Sequence, residues 1–430
     1  MKRLITTTLQ CSALIALSVH SNSSASAGLM PDLALQGAFE GRQFLQEAQF
    51  PQQKDSVLSV WAEPELVWEW GETQRLTFKP FYRYDSADDE RSHGDIRELM
   101  WLTYGYSWEV RAGIGKVFWG VTESLHLVDV INQTDLVEAP DGEEKLGQPM
   151  VHATWLHDVG TLEAFILPGF RERTFAGENG RLRSALRVSA DGEYQSAEEK
   201  EHLDWALRWS RSFELGESPL DLSAAWFQGT ARDPFLTPQI TLTGSGPQIT
   251  GLTPYYPLQR QLGITAQATV DAWLWKLEVL RRDYDEHMVD NLKALGVAGV
   301  QDHSAAVGGF EYTLVGPFAE RWDSALDVGL LLEYQYDQRG NDAAMAQNDV
   351  FAATRLAFND ADSSEILAGI TQDLDYSGSR GIMLEASTRL TDFTTLKVNG
   401  WIFMADDNDD ALAYSLRQDD YIELSLNIFY

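Results

Sequence analysis

The chain closes on YIELSLNIFY, residues 421–430, where Ile422, Leu424, Leu426, Ile428 and Tyr430 alternate with Glu423, Ser425, Asn427 and Phe429. A repeat of two residues marks a strand with one apolar and one wet face. Chain ends usually fray, so a terminus this regular implies an edge that has to be paired. A strand edge in lipid finds no water for its N–H and C=O groups, and only a closed sheet removes the edge.

The same alternation recurs upstream. In Ser56–Trp70, Leu58, Val60, Ala62, Leu66, Trp68 and Trp70 share a face opposite Ser59, Trp61, Glu63, Glu65 and Glu69. Arg75–Asp85, Leu203–Arg208, Trp273–Arg282, Leu326–Asp337, Ile366–Asp373, Ile382–Arg389 and Leu396–Phe403 repeat it. Alternating segments of about ten residues separated by turn residues are the pattern of an outer-membrane barrel. A β-sandwich also alternates, and the connections decide between the two. Short links at Gly71–Thr73, Ser107, Asp158–Gly160, Asp271, Asn359–Ser363 and Leu390–Thr394 alternate with long polar ones at 86–94, 120–148, 171–201, 231–255, 285–302, 340–348 and 405–418. Two short-side links, 212–218 and 316–321, are somewhat longer. One end has turns and the other has loops, as in a barrel. The expected fold is all-β, a transmembrane antiparallel outer-membrane β-barrel of 18 strands, with 16 as the alternative because Leu35–Phe44 is weakly patterned and Pro168 weakens its strand.

The opening residues are of another kind. Lys2 and Arg3 precede an apolar stretch from Leu9 to Val19, and Ala25-Ser26-Ala27 is a small-x-small cleavage signature. The expectation is a signal peptide, 1–27, cut after Ala27, and a single barrel domain, 28–430, in the outer membrane of a Gram-negative bacterium. Cys11, the single cysteine, lies in the leader. Without Lys2 and Arg3, 31 basic residues face 65 acidic ones, a net charge near −34, which argues against nucleic acid as a partner.

The non-lipid face carries the charges. Glu63, Glu65, Glu69, Arg75, Lys79, Arg83, Arg97, Arg111, Arg208, Lys276, Arg282, Glu333, Arg355, Arg389 and Lys397 are the expected pore-lining residues. So many charges cannot form a dry core, and a barrel of 16 to 18 strands is wide enough for an aqueous channel. Folding the chain about Glu72 sets Glu69 beside Arg75 and Glu65 beside Lys79, as a field across the pore or as plain cross-strand pairing. Arg83, Arg97 and Arg111 fall on three successive strands, an arrangement that can select anions, although the lumen carboxylates oppose it.

DIRELMWLTYGYSWEVRAGIGKVFWG at 95–120 and LHLVDVINQTD at 125–135 resemble an uncharacterised proteobacterial outer-membrane porin-like family and, more distantly, the alginate-export barrels. The resemblance rests on Arg97, Trp108, Arg111, Gly113, Trp119, Gly120, Asp129, Ile131, Asn132 and Asp135. It implies a porin-like barrel. By the same resemblance, the terminal aromatic Tyr430 is a signal to the barrel-assembly machinery. Lys116 stands where that family has an arginine, and on the alternation it falls on the lipid face, which suggests a bulge or a snorkelling side chain.

The loop 120–148 mixes Leu125, Leu127, Val128, Val130 and Ile131 with acidic residues. It is expected to fold into the pore as a constriction carrying Asp129, Asn132, Asp135 and Glu138, with a lid over the rim as the alternative. Its Asp-x-x-Asn-x-x-Asp spacing lacks the glycine and glutamate of a calcium loop, so no metal and no cofactor is expected. The acidic runs 197–202 and 405–410 read as solvated faces or as cation bridges to lipopolysaccharide, and 241–254 reads as a mobile loop. The histidines outside the leader, His93, His126, His152, His157, His202, His287 and His303, sit in no nucleophile motif, so catalysis is not expected. The expected function is a porin passing small polar or charged solutes, with lipid and lipopolysaccharide as surroundings and a homotrimer among the compatible assemblies. The alternative is a non-conducting barrel serving an envelope complex or the transfer of lipid or polysaccharide.

Overall fold

The structure, a computed structural model, describes residues 30–138, 141–216, 218–244, 246–285, 300–319, 325–340 and 346–430. The leader and its cleavage at Ala27 lie outside these residues. In chain order the strands are β1 Asp32–Phe44, β2 Ser56–Trp70, β3 Gln74–Asp85, β4 Gly94–Tyr104, β5 Trp108–Gly115, β6 Gln148–His157, β7 Gly160–Pro168, β8 Glu193–Tyr194, β9 Leu203–Leu215, β10 Ser218–Thr230, β11 Phe235–Thr243, β12 Gly246–Tyr256, β13 Leu258–Val270, β14 Trp273–Tyr284, β15 His303–Leu314, β16 Asp327–Asp337, β17 Asn348–Ala357, β18 Glu365–Asp373, β19 Arg380–Thr391, β20 Thr394–Met404 and β21 Tyr421–Phe429. A short α-helix, α1, spans Ala411–Leu416.

All but β8, β11 and β12 belong to a single 18-stranded sheet in which neighbours pair antiparallel. The sheet is closed because β1 pairs with both β2 and β21, from Gln36 opposite Phe429 to Phe44 opposite Tyr421. Leu35 N–H donates to Tyr430 C=O at 2.8 Å and Tyr430 N–H returns to Leu35 C=O at 2.9 Å. The last residue of the chain is therefore spent on the seam. An even strand number is what lets an antiparallel seam form between the two ends of one chain.

Turns occupy one end and long connections the other. The β2–β3 turn reverses at Gly71, whose φ of +65° favours glycine. The link expected at 212–218 is tighter than its composition suggests, because β9 runs on to Leu215 and β10 resumes at Ser218. Outward positions are apolar and exposed: Leu58, Leu207, Leu262, Ile264, Leu277, Leu332, Leu384, Leu424 and Leu426 at mid-strand. Trp70, Tyr104, Trp108, Trp155 and Trp273 ring the turn end, and Tyr82, Tyr84, Tyr334 and Tyr336 ring the loop end. Amphipathic rings at both rims flanking an apolar band fit the two water–lipid boundaries.

Two expectations need correction. The segment 241–254 is part of a β-hairpin: β11 pairs with β12 from Phe235–Tyr255 to Thr243–Gly246, and β12 adds a parallel contact to β8. Ile240, Thr241, Leu242 and Thr243 pair with Ile249, Gln248, Pro247 and Gly246, a ladder that Gly and Pro content concealed. Lys116 is on neither a bulge nor the lipid face. Strand β5 ends at Gly115, and Lys116 begins the following loop, 3.8 Å from Glu144.

Candidate functional site

The loop between β5 and β6, residues 116–147, enters the barrel. Its neck is cinched by Asn132, whose Oδ1 accepts Val117 N–H at 2.8 Å and whose Nδ2 donates to Gly115 and Leu146 carbonyls at 2.9 and 2.8 Å. Gln133 C=O accepts Leu146 N–H at 2.8 Å, and Glu144 C=O accepts Asp135 N–H at 2.8 Å. Gly147 lets the returning chain press on β4, since a Cβ there would meet Ile96 O at 2.3 Å.

Beyond the neck, Trp119, Val128, Val130 and Ile131 pack on Met150, Phe165, Leu167, Ala206, Ala225 and Phe227, the inward residues of β6, β7, β9 and β10. Apolar inward positions on this wall are thus the complement of the loop's apolar residues. The tip reaches strands about half-way round the ring. Glu278 on β14 accepts Val121 N–H at 2.6 Å, Thr122 Oγ1 at 2.9 Å and Val128 N–H at 3.2 Å. Glu333 on β16 accepts Glu123 N–H at 2.9 Å, Ser124 N–H at 2.8 Å and Ser124 Oγ at 2.6 Å. Glu123 in turn pairs with Arg355 at 2.6 Å and faces Lys276 at 3.7 Å. A carboxylate that gathers several N–H donors is a strong anchor because the bonds are charge-assisted.

The remaining predicted loop residues form a knot on β3 and β4. Asp135 accepts Arg97 at 2.8 Å, Thr174 Oγ1 at 2.7 Å and His93 Nε2 at 3.2 Å. Glu138 takes Arg83 at 2.6 Å, and Arg83 also meets Glu40. Burial by itself would raise the Asp135 pKa, but His93 and Arg97 outweigh it and lower it to about 2. Burial would lower the His93 pKa, but the hydrogen bond and charge of Asp135, with Glu138 behind, raise it. Asp129 turns elsewhere, 3.4 Å from Lys145, and burial raises its pKa against the pull of that lysine. Asp129, Asn132 and Asp135 therefore diverge and share no ligand point. His93, Asp135 and Glu138 do offer ligand atoms within 4.8 Å of one another. Both carboxylates are already engaged by guanidinium groups, so the cluster is an ion-pair knot.

Lys276 apart, whose side chain is 8% exposed and turned to Glu123, the expected pore-lining residues divide in two. Arg83, Arg97, Arg282 and Glu333 point inward but are buried, at 4%, 2%, 8% and 2% exposure. They bond to the loops and to Gln261 and Asp233, not to open water. Glu63, Glu65, Glu69, Arg75, Lys79, Arg111, Arg208, Arg355, Arg389 and Lys397 keep accessible surface. Lys79 lies between Glu65 at 3.3 Å and Glu98 at 3.8 Å, Arg75 is 3.9 Å from Glu65, and Arg208 pairs with Glu163 at 2.9 Å. Glu69 is the cross-strand partner of Arg75. Arg83, Arg97 and Arg111 do not form one row, because Arg111 sits near the turn end, bonded to Glu109 at 2.7 Å.

A second connection, 169–202, reads in the sequence only as a long polar link with an acidic run at 197–202. It leaves β7 and straps the loop end at β1 and β21. Arg181 is buried there, pairing with Asp419 at 2.7 Å and Asp55 at 2.9 Å, donating to the Gln418 carbonyl and lying 4.3 Å over the Phe44 ring. Leu182 N–H donates to Asp419 at 2.9 Å, Gln53 to the Gly180 carbonyl at 2.6 Å, and Gly177 N–H to Asp88 at 3.0 Å. No periodicity marks these residues, and an isolated arginine in a polar loop gives no signal of its target.

The fold and the lumen define a closed, 18-stranded transmembrane-type β-barrel whose interior is narrowed by a loop from its own chain. No protein-family model matches the chain, and no curated protein matches it. Among solved structures, a mutant of the Rh. blastica porin aligns over 93% of this chain and 100% of its own at 13% identity, with a TM-score of 0.41. Wzi, titled an outer membrane protein involved in group 1 capsule assembly in Escherichia coli and a carbohydrate-binding β-barrel, aligns over 93% of this chain and 85% of its own at 10% identity, with a TM-score of 0.48.

Proposed function

We propose that the protein is a narrow outer-membrane channel through which small polar or charged solutes diffuse, after export and removal of the leader at Ala27. The observation that carries this reading is the inward wall of β18 to β20. Glu365, Glu385, Ser387, Lys397 and Asn399 keep accessible surface there, while the outward neighbours Ala368, Ile370 and Leu384 are apolar or small and exposed to the lipid side. Toward the loop end the same inward face turns apolar at Met383, Trp401 and Phe403, and the polar turn-end half that the loop leaves uncovered is suited to solute and water. On this reading the turn end faces the periplasm, the loop end faces outward among lipopolysaccharide, and Tyr430 serves assembly. The local likeness to porin-like families at 95–135 points the same way, and a homotrimer is compatible with it.

One observation favours the second reading, a non-conducting barrel with an envelope role: loop 116–147 and the Arg181 strap both occupy the loop-end half. Planar bilayers decide. Small ohmic steps from the purified chain, with swelling of liposomes in sugars or amino acids, support the channel. Correctly folded barrels that insert and remain silent overturn it.

A further inference from the structure

Strands β17 and β18 set Asp349 directly opposite Asp373. Both turn inward, and both are more than nine-tenths buried, at 8% and 7% exposure. Asp373 is arranged as an acceptor: Oδ1 takes the N–H groups of Asp375 and Tyr376 at 2.7 and 2.8 Å, and Oδ2 takes Gln347 Nε2 at 2.6 Å. Bonds of this kind favour the ionised carboxylate. Asp349 receives a single bond at 3.2 Å from the adjacent Asn348 N–H. Among the described residues neither carboxylate has an ion-pair partner, and the nearby Arg339 is committed to Asp337 at 2.7 Å. The charges that act on Asp349 most, from Asp373, Asp410 and Asp375, have its own sign. Buried like charges without a counter-charge are strongly unfavourable.

A hydroxyl beside the pair is also left over. Ser379 accepts the Asp373 N–H at its carbonyl, 3.2 Å, yet its own Oγ is buried and makes no hydrogen bond, with the residue 3% exposed. Asp406 lies over the preceding Gly378, where a Cβ would fall 1.8 Å from its Oδ1. The donor set is oxygen only, with two carboxylates and an orphan hydroxyl.

We propose that this corner binds a divalent cation of the calcium type, with Asp349 and Asp373 as its carboxylate ligands and Ser379 Oγ beside them. Oxygen donors without nitrogen or sulfur select hard cations. Calcium tolerates an irregular shell of about six to eight oxygens, which main-chain carbonyls and water complete, whereas magnesium demands a regular octahedron. The ion offsets the buried pair and fastens the connections after β16, β18 and β20 at the loop end.

The test uses the full chain in detergent micelles at neutral pH, with calcium chloride or EDTA, reading the heat-unfolding midpoint and calcium binding by titration calorimetry. Calcium raises the midpoint of the native protein, and Asp349→Asn or Asp373→Asn weakens binding by more than about tenfold. Asp407→Asn with Asp409→Asn, in the exposed acidic run, leaves the response intact. If a carboxylate variant does not fold, Ser379→Ala, which keeps both carboxylates, has to weaken calcium binding. A native midpoint indifferent to calcium overturns the proposal, as does a response that survives all three of these substitutions or is lost in the exposed-run variant. So does Asp349→Asn being more stable than the native chain in EDTA with no calcium effect, the mark of a shared proton.

Discussion

The wall from β6 to β17 and the wall from β18 to β20 follow one rule outward and two rules inward. Outward, both present Leu and Ile, joined on the first by Trp and Tyr. Inward, the first offers Met150, Phe165, Leu167 and Phe227, then the buried carboxylates Glu278 and Glu333, and all of these are covered by loop 116–147. The second offers Glu385, Ser387, Lys397 and Asn399, which remain accessible, and nearer the loop end Trp401 and Phe403, which pack beside Leu182 of the 169–202 connection. Lipid imposes the outward composition on every strand. The inward composition is set by whatever lies against it, and here that is either a piece of the same chain or water.

Excising 121–131 removes the cover and the tip together. We expect the largest change here, a several-fold rise in single-channel conductance, with the apolar patch at Phe165 and Phe227 newly exposed to a hydrophobic dye. Unchanged conductance would erase the distinction between the two walls. Arg181→Ala leaves Asp419 buried without its partner, a loss of about 3–5 kcal/mol of local stability. It should free the 169–202 strap for proteolysis while the barrel stays intact. Next in size is a matched pair on the adjacent strands β21 and β20. Leu424→Arg faces lipid and should cost about 2–4 kcal/mol of folding stability in bilayers, whereas Asn399→Arg faces the lumen and should stay within about 0.5 kcal/mol.

A subtler effect comes from pH. Because the folded His93 pKa is raised, its grip on Asp135 is fully present below the ordinary histidine pKa of about 6.5 and is lost as pH rises through the folded value. Asp135, held near 2, contributes above the ordinary aspartate pKa of about 3.8 and fails only as pH falls toward 2. Hydrogen exchange at 133–138 should therefore quicken beyond the intrinsic rate as pH rises above the ordinary histidine pKa of about 6.5, and His93→Gln should remove the dependence. The reverse sign would break the assignment of His93 as a loop anchor. Smallest of all, Lys397→Ala should leave stability within about 0.5 kcal/mol and change only the ion selectivity of the current.

The strand number, the seam and the alternation of turns and loops were legible because lipid writes a period of two into every crossing. Which inward charges meet water was not. Arg83 and Arg389 both face inward, but Arg83 lies at the loop end, where Glu138 and Glu40 bury it, and Arg389 near the turn end, where it stays exposed. A usable clue lay in Ala164–Pro168, where Phe165 and Leu167 make an inward face apolar that should have been polar, announcing a partner. The Arg181 strap had no such trace, because a single ion pair across the mouth leaves no periodicity on either side. The hairpin β11–β12 was hidden by its Gly and Pro content even though its Thr and Ile residues alternate.

The seam between β1 and β21 joins strands far apart in the chain, so a product truncated before β21 cannot satisfy both edges of β1. Loss of even the final ten residues would leave β1 and β20 with open backbone in the hydrocarbon. The closure of the whole sheet thus rides on one strand, β21, whose two edges hold β1 and β20 together.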